Sequence, residues 1–321
     1  MGAGVLVAGS ANLDFVVRAP RVPAPGETLL GHGFATYPGG KGANQAVAAA
    51  RAGAAPTRML LALGDDPQAR PLEASLREAG VDCAIVRSAA PTGVALICVA
   101  DDGENAIIVA SGANATLAAG DLPALDGVGC LLLQLESPPD AVVAWALAAR
   151  TAGVRVVLNA APAPVGGLPP ALLAAIDVLV VNEGELDAIT GHHEGTFGAR
   201  IAAAGPPLVV ATLGALGACA FERDRGQWHL QPAFAVGVVD TTGAGDTFCG
   251  VLAAALVAGD GIGAALRRAT AAAALACTRA GAQTGVPQAA EVAALLAAHA
   301  DADDDAARRA LAARLGLDAA G

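Results

Sequence analysis

Asp240-Thr241-Thr242-Gly243-Ala244-Gly245-Asp246-Thr247-Phe248 runs directly into an apolar, alanine-rich stretch over residues 251–257. Glycine at 243 and 245 lets the backbone turn tightly and in the open. The apolar stretch reads as a helix, so Gly243, Ala244 and Gly245 present amide N–H groups at its start. Unpaired donors and the helix dipole attract anions there. A carboxylate at Asp246 is out of place if the turn only binds an anion. It makes sense if it takes the proton of a hydroxyl attacking a phosphoryl group held by those amides. The competing reading is a plain loop-to-helix connection with Asp246 near the N-cap.

Upstream, strand and helix patterns alternate. Residues 5–8 form a continuous apolar run ending at Gly9-Ser10, as in a buried strand. Residues 43–52 read as a helix closed by Gly53. Strand-like runs at 59–63, 130–135, 154–158, 178–181 and 208–212 are interleaved with helical runs at 71–79 and 139–149. This rhythm predicts a three-layer α/β fold, a mostly parallel central sheet with helices on both faces. Residues 28–37, 93–99 and 105–110 stand apart as a small second sheet, the last two flanking the hairpin turn Asp101-Asp102-Gly103. Residues 221–231 read as another hairpin, and helices dominate from 246 onward. One α/β domain over 1–300 is expected. The stretch 301–321, acidic first and basic later, reads as a solvated terminal helix or a frayed tail.

Of the 321 residues, 55% are hydrophobic and 15% charged, enough apolar material for a large core. A formal net charge of −11 argues against a nucleic-acid surface, so an anionic ligand needs a local positive site. The six cysteines form no C-x-x-C pair and read as small buried residues in a reducing compartment. No basic leader precedes Asp14, and no apolar run is long enough to cross a membrane. A cytoplasmic protein with no membrane partner is expected. His192-His193 beside Glu194 reads as a surface loop rather than a metal site, because adjacent residues point different ways.

Ligands of open α/β sheets sit at the carboxyl ends of strands. Asn12 and Asp14, Glu136, Asn159, Asn182 with Glu185, and Thr212 with Gly214 all follow predicted strands, and together they describe a polar crevice. Gly39-Gly40-Lys41-Gly42-Ala43-Asn44 allows close backbone approach to a small polar ligand, with Asn44 in the first turn of the next helix. No G-x-x-x-x-G-K-[ST], G-x-G-x-x-G, H-E-x-x-H or G-x-S-x-G motif occurs.

Two of these segments, Gly39-Gly40-Lys41-Gly42-Ala43-Asn44-Gln45-Ala46 and Asp240 to Phe248, resemble the two signatures of the PfkB-type sugar kinases. Gln134-Leu135-Glu136-Ser137-Pro138, Leu158-Asn159-Ala160-Ala161-Pro162-Ala163 and Asn182-Glu183-Gly184-Glu185 fall between them in the family's order. The likeness runs from residue 5 to about residue 298 and is strongest to the ribokinase branch. It implies ATP-dependent phosphorylation of the 5-hydroxyl of D-ribose, with Mg²⁺. Asp246 would be the general base, and Gly243, Ala244 and Gly245 the anion hole. Asn12, Asp14, Gly40, Lys41, Gly42, Ala43, Asn44, Glu136 and Asp246 would surround the sugar.

By the same resemblance, ATP would meet Asn182, Thr212, Leu213, Gly214, Ala215, Leu216, Gly217, Gly245 and Thr270, with Glu185 organising Mg²⁺ through water. An activating K⁺ would lie among Asp240, Thr242, Ala276, Arg279, Gly281 and Gly285. At Gly285 this sequence departs from a family serine, with Thr284 next door. The small sheet, about 15–38 and 92–110, would be a lid over the sugar and the contact of a homodimer. Kinases of 2-deoxyribose, fructose or adenosine, and a non-catalytic sugar sensor, stand as alternatives. Few aromatics, 3% overall, and none in the sugar-contacting motifs speak against a nucleoside. The retained Asp246 speaks against a sensor.

Overall fold

The structure is a computed structural model and describes residues 3–191, 195–300 and 305–317. Its strands are β1 (Gly4–Ala8), β2 (Asn12–Ala19), β3 (Gly33–Gly39), β4 (Thr57–Gly64), β5 (Asp82–Ser88), β6 (Gly93–Ala100), β7 (Asn105–Ala110), β8 (Val128–Leu133), β9 (Arg155–Asn159), β10 (Val178–Val181), β11 (Leu208–Thr212), β12 (Gly217–Glu222) and β13 (Gln227–Pro232). The helices are α1 (Lys41–Arg51), α2 (Ala69–Glu78), α3 (Pro139–Thr151), α4 (Pro170–Ala175), α5 (Glu183–Thr190), α6 (Phe197–Ala203), α7 (Ala244–Ala258), α8 (Ile262–Ala276), α9 (Ala282–Gly285), α10 (Ala289–Ala298) and α11 (Asp305–Leu315).

Among the described residues, nine strands form the large sheet in the order β13-β12-β11-β10-β9-β8-β1-β4-β5. Its pairs are parallel from β11 to β5, and β12 and β13 add an antiparallel hairpin at one edge. The parallel run sends every carboxyl end to one edge. Strand order reverses around β1, whose neighbours are β4 and β8, and such a reversal opens a crevice. Both faces are covered. Val5 and Val7 point into a core built with α1, α2, α7, α8 and α10. Leu6 and Ala8 point into a second core with α3 to α6 and α11. This period-2 division is why the parallel strands read as unbroken apolar runs.

Helix α1 is alanine-rich because it is buried along most of its length. Packing against α7 is close: a β-carbon on Gly250 would come within 2.3 Å of the Gln45 carbonyl oxygen and 2.8 Å of the Ala48 Cβ. Only glycine fits at that crossing.

Among the described residues, four strands form the small sheet, in the order β3-β2-β6-β7. Two boundaries differ from the sequence reading. The strand expected at 28–37 covers Gly33–Gly39, and the small sheet begins at Asn12 with β2, ahead of the bound of about 15 expected for the lid. Edge strand β5 was not expected; its half-buried, mixed sequence lacks a clean apolar run. Asn114 fastens the root of the small sheet. Its Oδ1 accepts from the Ala11 N–H at 3.0 Å, and its Nδ2 donates to the Ala11 carbonyl at 3.1 Å and to Asn12 Oδ1 at 2.8 Å.

The C-terminal stretch also differs from a solvated helix or frayed tail. In α11, Leu311 and Leu315 are fully buried in the second core, and Arg314 pairs with Glu183. An i, i+4 leucine pair hidden among alanines is a weak sequence signal. Residues 301–304 and 318–321 lie outside the described residues.

Candidate active site

Helices α1, α5 and α7 supply the side chains that meet at the carboxyl edge of the large sheet. Gly243, the N-cap of α7, has φ 75°, and a β-carbon there would meet the Ala282 Cα at 2.8 Å. The turn therefore demands glycine for both conformation and space. No side chain caps α7. One expected amide is engaged, since the Ala244 N–H donates to the Thr241 carbonyl across a long 3.2 Å.

Asp246, in the first turn of α7, takes one amide donor on each carboxylate oxygen. Asn44 Nδ2 donates to Oδ2 at 2.9 Å and Gln45 Nε2 to Oδ1 at 3.0 Å. Both donors sit near the start of α1, whose N-cap is Gly40 with φ 89°. A β-carbon on Gly40 would lie 2.7 Å from the Ala11 Cα. The second glycine signature is therefore what brings α1 against the root of β2.

Glu136, just beyond β8, accepts from the Ser10 hydroxyl at 2.5 Å and from the Lys41 N–H at 3.1 Å. Asp14 shares this acidic pocket. Burial, then the charges of Glu136 and Asp246, push its carboxyl up to about 7. Burial alone would lower the Lys41 pKa, but Asp246, Glu136 and Glu185 outweigh it and hold the ammonium above its ordinary value. Lys41 is the cation that an acidic crevice needs if it is to receive a phosphoryl group.

Two cavities flank this centre. One, of about 620 Å³, lies under the small sheet and is lined by Asp14, Arg18, Tyr37, Asp240, Thr242 and Gly281 among others. The other, of about 480 Å³, is lined by Thr212, Gly214, Ala215, Gly217, Gly245 and Thr270. Its remaining wall is apolar, with Phe234, Val236, Val238 and Phe248. Thr241 lines both. The buried Thr270 hydroxyl has no partner, as suits a group awaiting a ligand.

Some sequence-predicted residues stand back from these spaces. Ala43 is fully buried in the core, and its N–H is spent on the Ser10 carbonyl. Leu213 is buried, and neither it nor Leu216 lines the apolar cavity. Asn182 caps α5: its Oδ1 accepts from the Glu185 N–H at 2.8 Å, and Glu185 Oε2 accepts from the Asn182 N–H at 2.8 Å. Burial raises the Glu185 pKa. With both residues tied into this capping box, Glu185 suits contact with a cation through water.

Near Asp240, Oδ1 accepts from the Thr242 N–H at 2.9 Å and Oδ2 from the Gly281 N–H at 2.8 Å. Burial alone would raise its pKa, but these two amides hold it below the ordinary carboxylate value. The carbonyls of Ala276 and Arg279 point to where a β-carbon of Gly285 would stand, at 3.1 and 3.5 Å. With Asp240 these are oxygens that a cation could meet, and Gly285 itself adds no side-chain oxygen. Thr284 stands next to it, its hydroxyl donating to the Ala280 carbonyl at 2.6 Å.

Among the described residues, no group of three or more His, Cys, Asp and Glu could hold a metal. His192, His193 and Glu194 lie outside the described residues. Cys130, Cys219 and Cys249 are buried, whereas Cys83, Cys98 and Cys277 are half-buried. No described helix is long and apolar enough to cross a membrane.

Sequence reasoning missed Ser10, Asn114 and Gln283 as members of the site. Ser10 looked like a strand terminus, and Gln283 sits in the one-turn helix α9, where periodicity carries no information.

The chain is similar to known proteins along most of its length. Ribokinase of Haemophilus influenzae is 38% identical over 293 residues, covering 88% of this chain and 94% of that one. Deoxyribokinase of Salmonella typhi is 35% identical over 295 residues, covering 88% and 95%. The structure of Arabidopsis thaliana ribokinase complexed with ribose and ATP superposes with a TM-score of 0.83 at 35% identity, covering 92% of this chain and 99% of that one. Residues 3–289 match the pfkB family of carbohydrate kinases, and the chain belongs to that family.

Proposed function

We propose that this chain is a ribokinase, transferring the γ-phosphoryl group of ATP to the 5-hydroxyl of D-ribose to give ribose 5-phosphate and ADP. The observation that carries the reading is the place of Asp246. Gly245, on one side of it, lines the apolar cavity; Asn44, Lys41 and Glu136 lie on the other. A sugar hydroxyl held there can pass its proton to Asp246 as its oxygen attacks the phosphorus. The amides of Gly243, Ala244 and Gly245 then stabilise the transferring group, the long Ala244 bond being exchangeable for a phosphoryl oxygen. Asn12, Asp14, Gly40, Lys41 and Asn44 orient the sugar, and Asp14 can accept from two neighbouring hydroxyls. The apolar cavity takes the adenine end of ATP, with the free Thr270 hydroxyl and the Gly214–Gly217 turn facing the nucleotide.

Mg²⁺, when bound, neutralises charge on the phosphates, and Glu185 would hold it through water. K⁺ would sit on Asp240 and the carbonyls around Gly285, with water replacing the missing hydroxyl. The small sheet closes over the sugar and excludes water. Its outer face carries Val17, Phe34, Leu96 and Ile108 exposed on one side, an apolar surface that suits pairing with a second copy. Six free cysteines suit a reducing compartment such as the cytoplasm.

The deoxyribokinase relative favours a second reading, a kinase for 2-deoxyribose. ADP release measured with ribose, 2-deoxyribose, fructose and adenosine, with and without K⁺, decides between them. Ribose is expected to give the highest kcat/KM, and equal or better turnover of another acceptor removes the ribose assignment.

A further inference from the structure

Both amides that hold Asp246 are themselves held. Behind Asn44, its Oδ1 accepts from Gln283 Nε2 at 3.1 Å, and Gln283 Oε1 accepts from the Ser75 hydroxyl at 2.6 Å. Behind Gln45, its Oε1 accepts from Gln134 Nε2 at 2.6 Å, while its Nε2 also donates to Asn159 Oδ1 at 3.0 Å. Gln45, Gln134 and Gln283 are 0, 1 and 3% exposed. Polar side chains this deep in an alanine-rich core are costly unless their groups are matched.

The two chains share a direction. In each, a donor from behind claims the amide oxygen, which leaves the amide NH₂ facing the carboxylate. Turning either amide round would set an oxygen against Asp246 and an NH₂ against the donor behind. The chains thus fix which atom faces each carboxylate oxygen, and with it the direction of the lone pairs left for a hydroxyl. They start far apart, on α2 and just beyond β8, and meet only at Asp246.

We propose that Gln134 and Gln283 are positioning residues that aim the Asp246 carboxylate through Gln45 and Asn44. This rests on the reading of Asp246 as the base. Neither glutamine borders the apolar cavity or the cleft under the small sheet. Gln134 Oε1 has no partner and fills the space above Gly9, so its chain begins there.

A double-mutant cycle tests the proposal. Gln134→Met and Gln283→Met remove the rear donor at similar volume, and Ser75→Ala removes only the outermost hydroxyl of one chain, which keeps the test open if a buried variant does not fold. With the best acceptor of the panel above, each Met variant should lower kcat about tenfold and Ser75→Ala about twofold, with the KM for ATP unchanged. In an Asp246→Asn background the same changes should alter the residual rate by less than about twofold, because their effect passes through the missing carboxylate. Equal losses in both backgrounds, or no loss in the parent, overturn the positioning role. No turnover of any acceptor by the parent overturns the kinase reading and this proposal together.

Discussion

The carboxylate of Asp14 occupies the space a side chain on Gly39 would need: a β-carbon there would stand 2.2 Å from Asp14 Oδ2. The two residues lie on paired strands of the small sheet, with Asn12 opposite Gly39 and Asp14 opposite Tyr37. Glycine at 39 leaves the acid that room, and burial, then the charges of Glu136 and Asp246, lift its pKa from 3.8 to about 7. A folded-state value above the unfolded one lends stability below the unfolded pKa, and that contribution is lost as pH rises through about 7. Without sugar, resistance to urea should fall between about pH 5 and about pH 8, and Asp14→Asn should flatten the trend. The KM for sugar should fall over the upper part of that range as Asp14 ionises. A pH-independent KM removes Asp14 from sugar binding.

Asp246→Asn keeps the size of the side chain and removes the proton acceptor. We expect kcat to fall by about 10²–10⁴-fold while sugar binding persists, the usual range for a positioned base. Steady-state kinetics with titration of the sugar by calorimetry measure both, and near-parental turnover refutes the role.

At the proposed cation site, Gly285→Ser adds an oxygen beside the Ala276 and Arg279 carbonyls. Half-activation by K⁺ should then occur at a concentration about tenfold lower than in the parent, the gain of one good ligand. An unchanged K⁺ response in both proteins means that no cation acts there.

Phe34 and Ile108 are 67 and 70% exposed on the outer face of the small sheet. Phe34→Glu with Ile108→Glu sets charge into any contact between two such faces. Sedimentation velocity should find a dimer for the parent and a monomer for the variant. A monomeric parent ends the dimer proposal.

Leu311 is fully buried although it lies in the last helix. Leu311→Ala should cost about 2–5 kcal/mol of unfolding free energy, as for other core leucines. Urea denaturation reads this directly, and a loss within about 0.5 kcal/mol would mean the helix contributes little.

How legible the molecule was follows the range of each interaction. The parallel strands announce themselves because each is apolar on both faces, and the two glycine signatures because Gly40 and Gly243 need positive φ where the chain comes close to itself. Asp246 is readable because it directly follows the Gly243–Gly245 turn in sequence, although the amides that hold it come from Asn44 and Gln45, 202 and 201 residues away. Asn114 and Gln283 are not, because their partners lie 102 or more residues away. Edge strand β5 and the burial of helix α11 escaped because half-buried and alanine-rich patterns look alike whether they face protein or solvent. The Ala244 amide, bonded back to Thr241, depends on a turn geometry that residue types alone leave open.

Gly250 lies one turn below Asp246 on α7 and touches the backbone of Gln45, whose side chain grips that acid. A methyl group added there would wedge the two helices apart at the very level where base and amide meet. The chemistry of this enzyme is thus set partly by an absence of bulk in its interior. A variant altered only in packing could remain well folded yet turn over slowly, an injury that a melting curve alone would overlook.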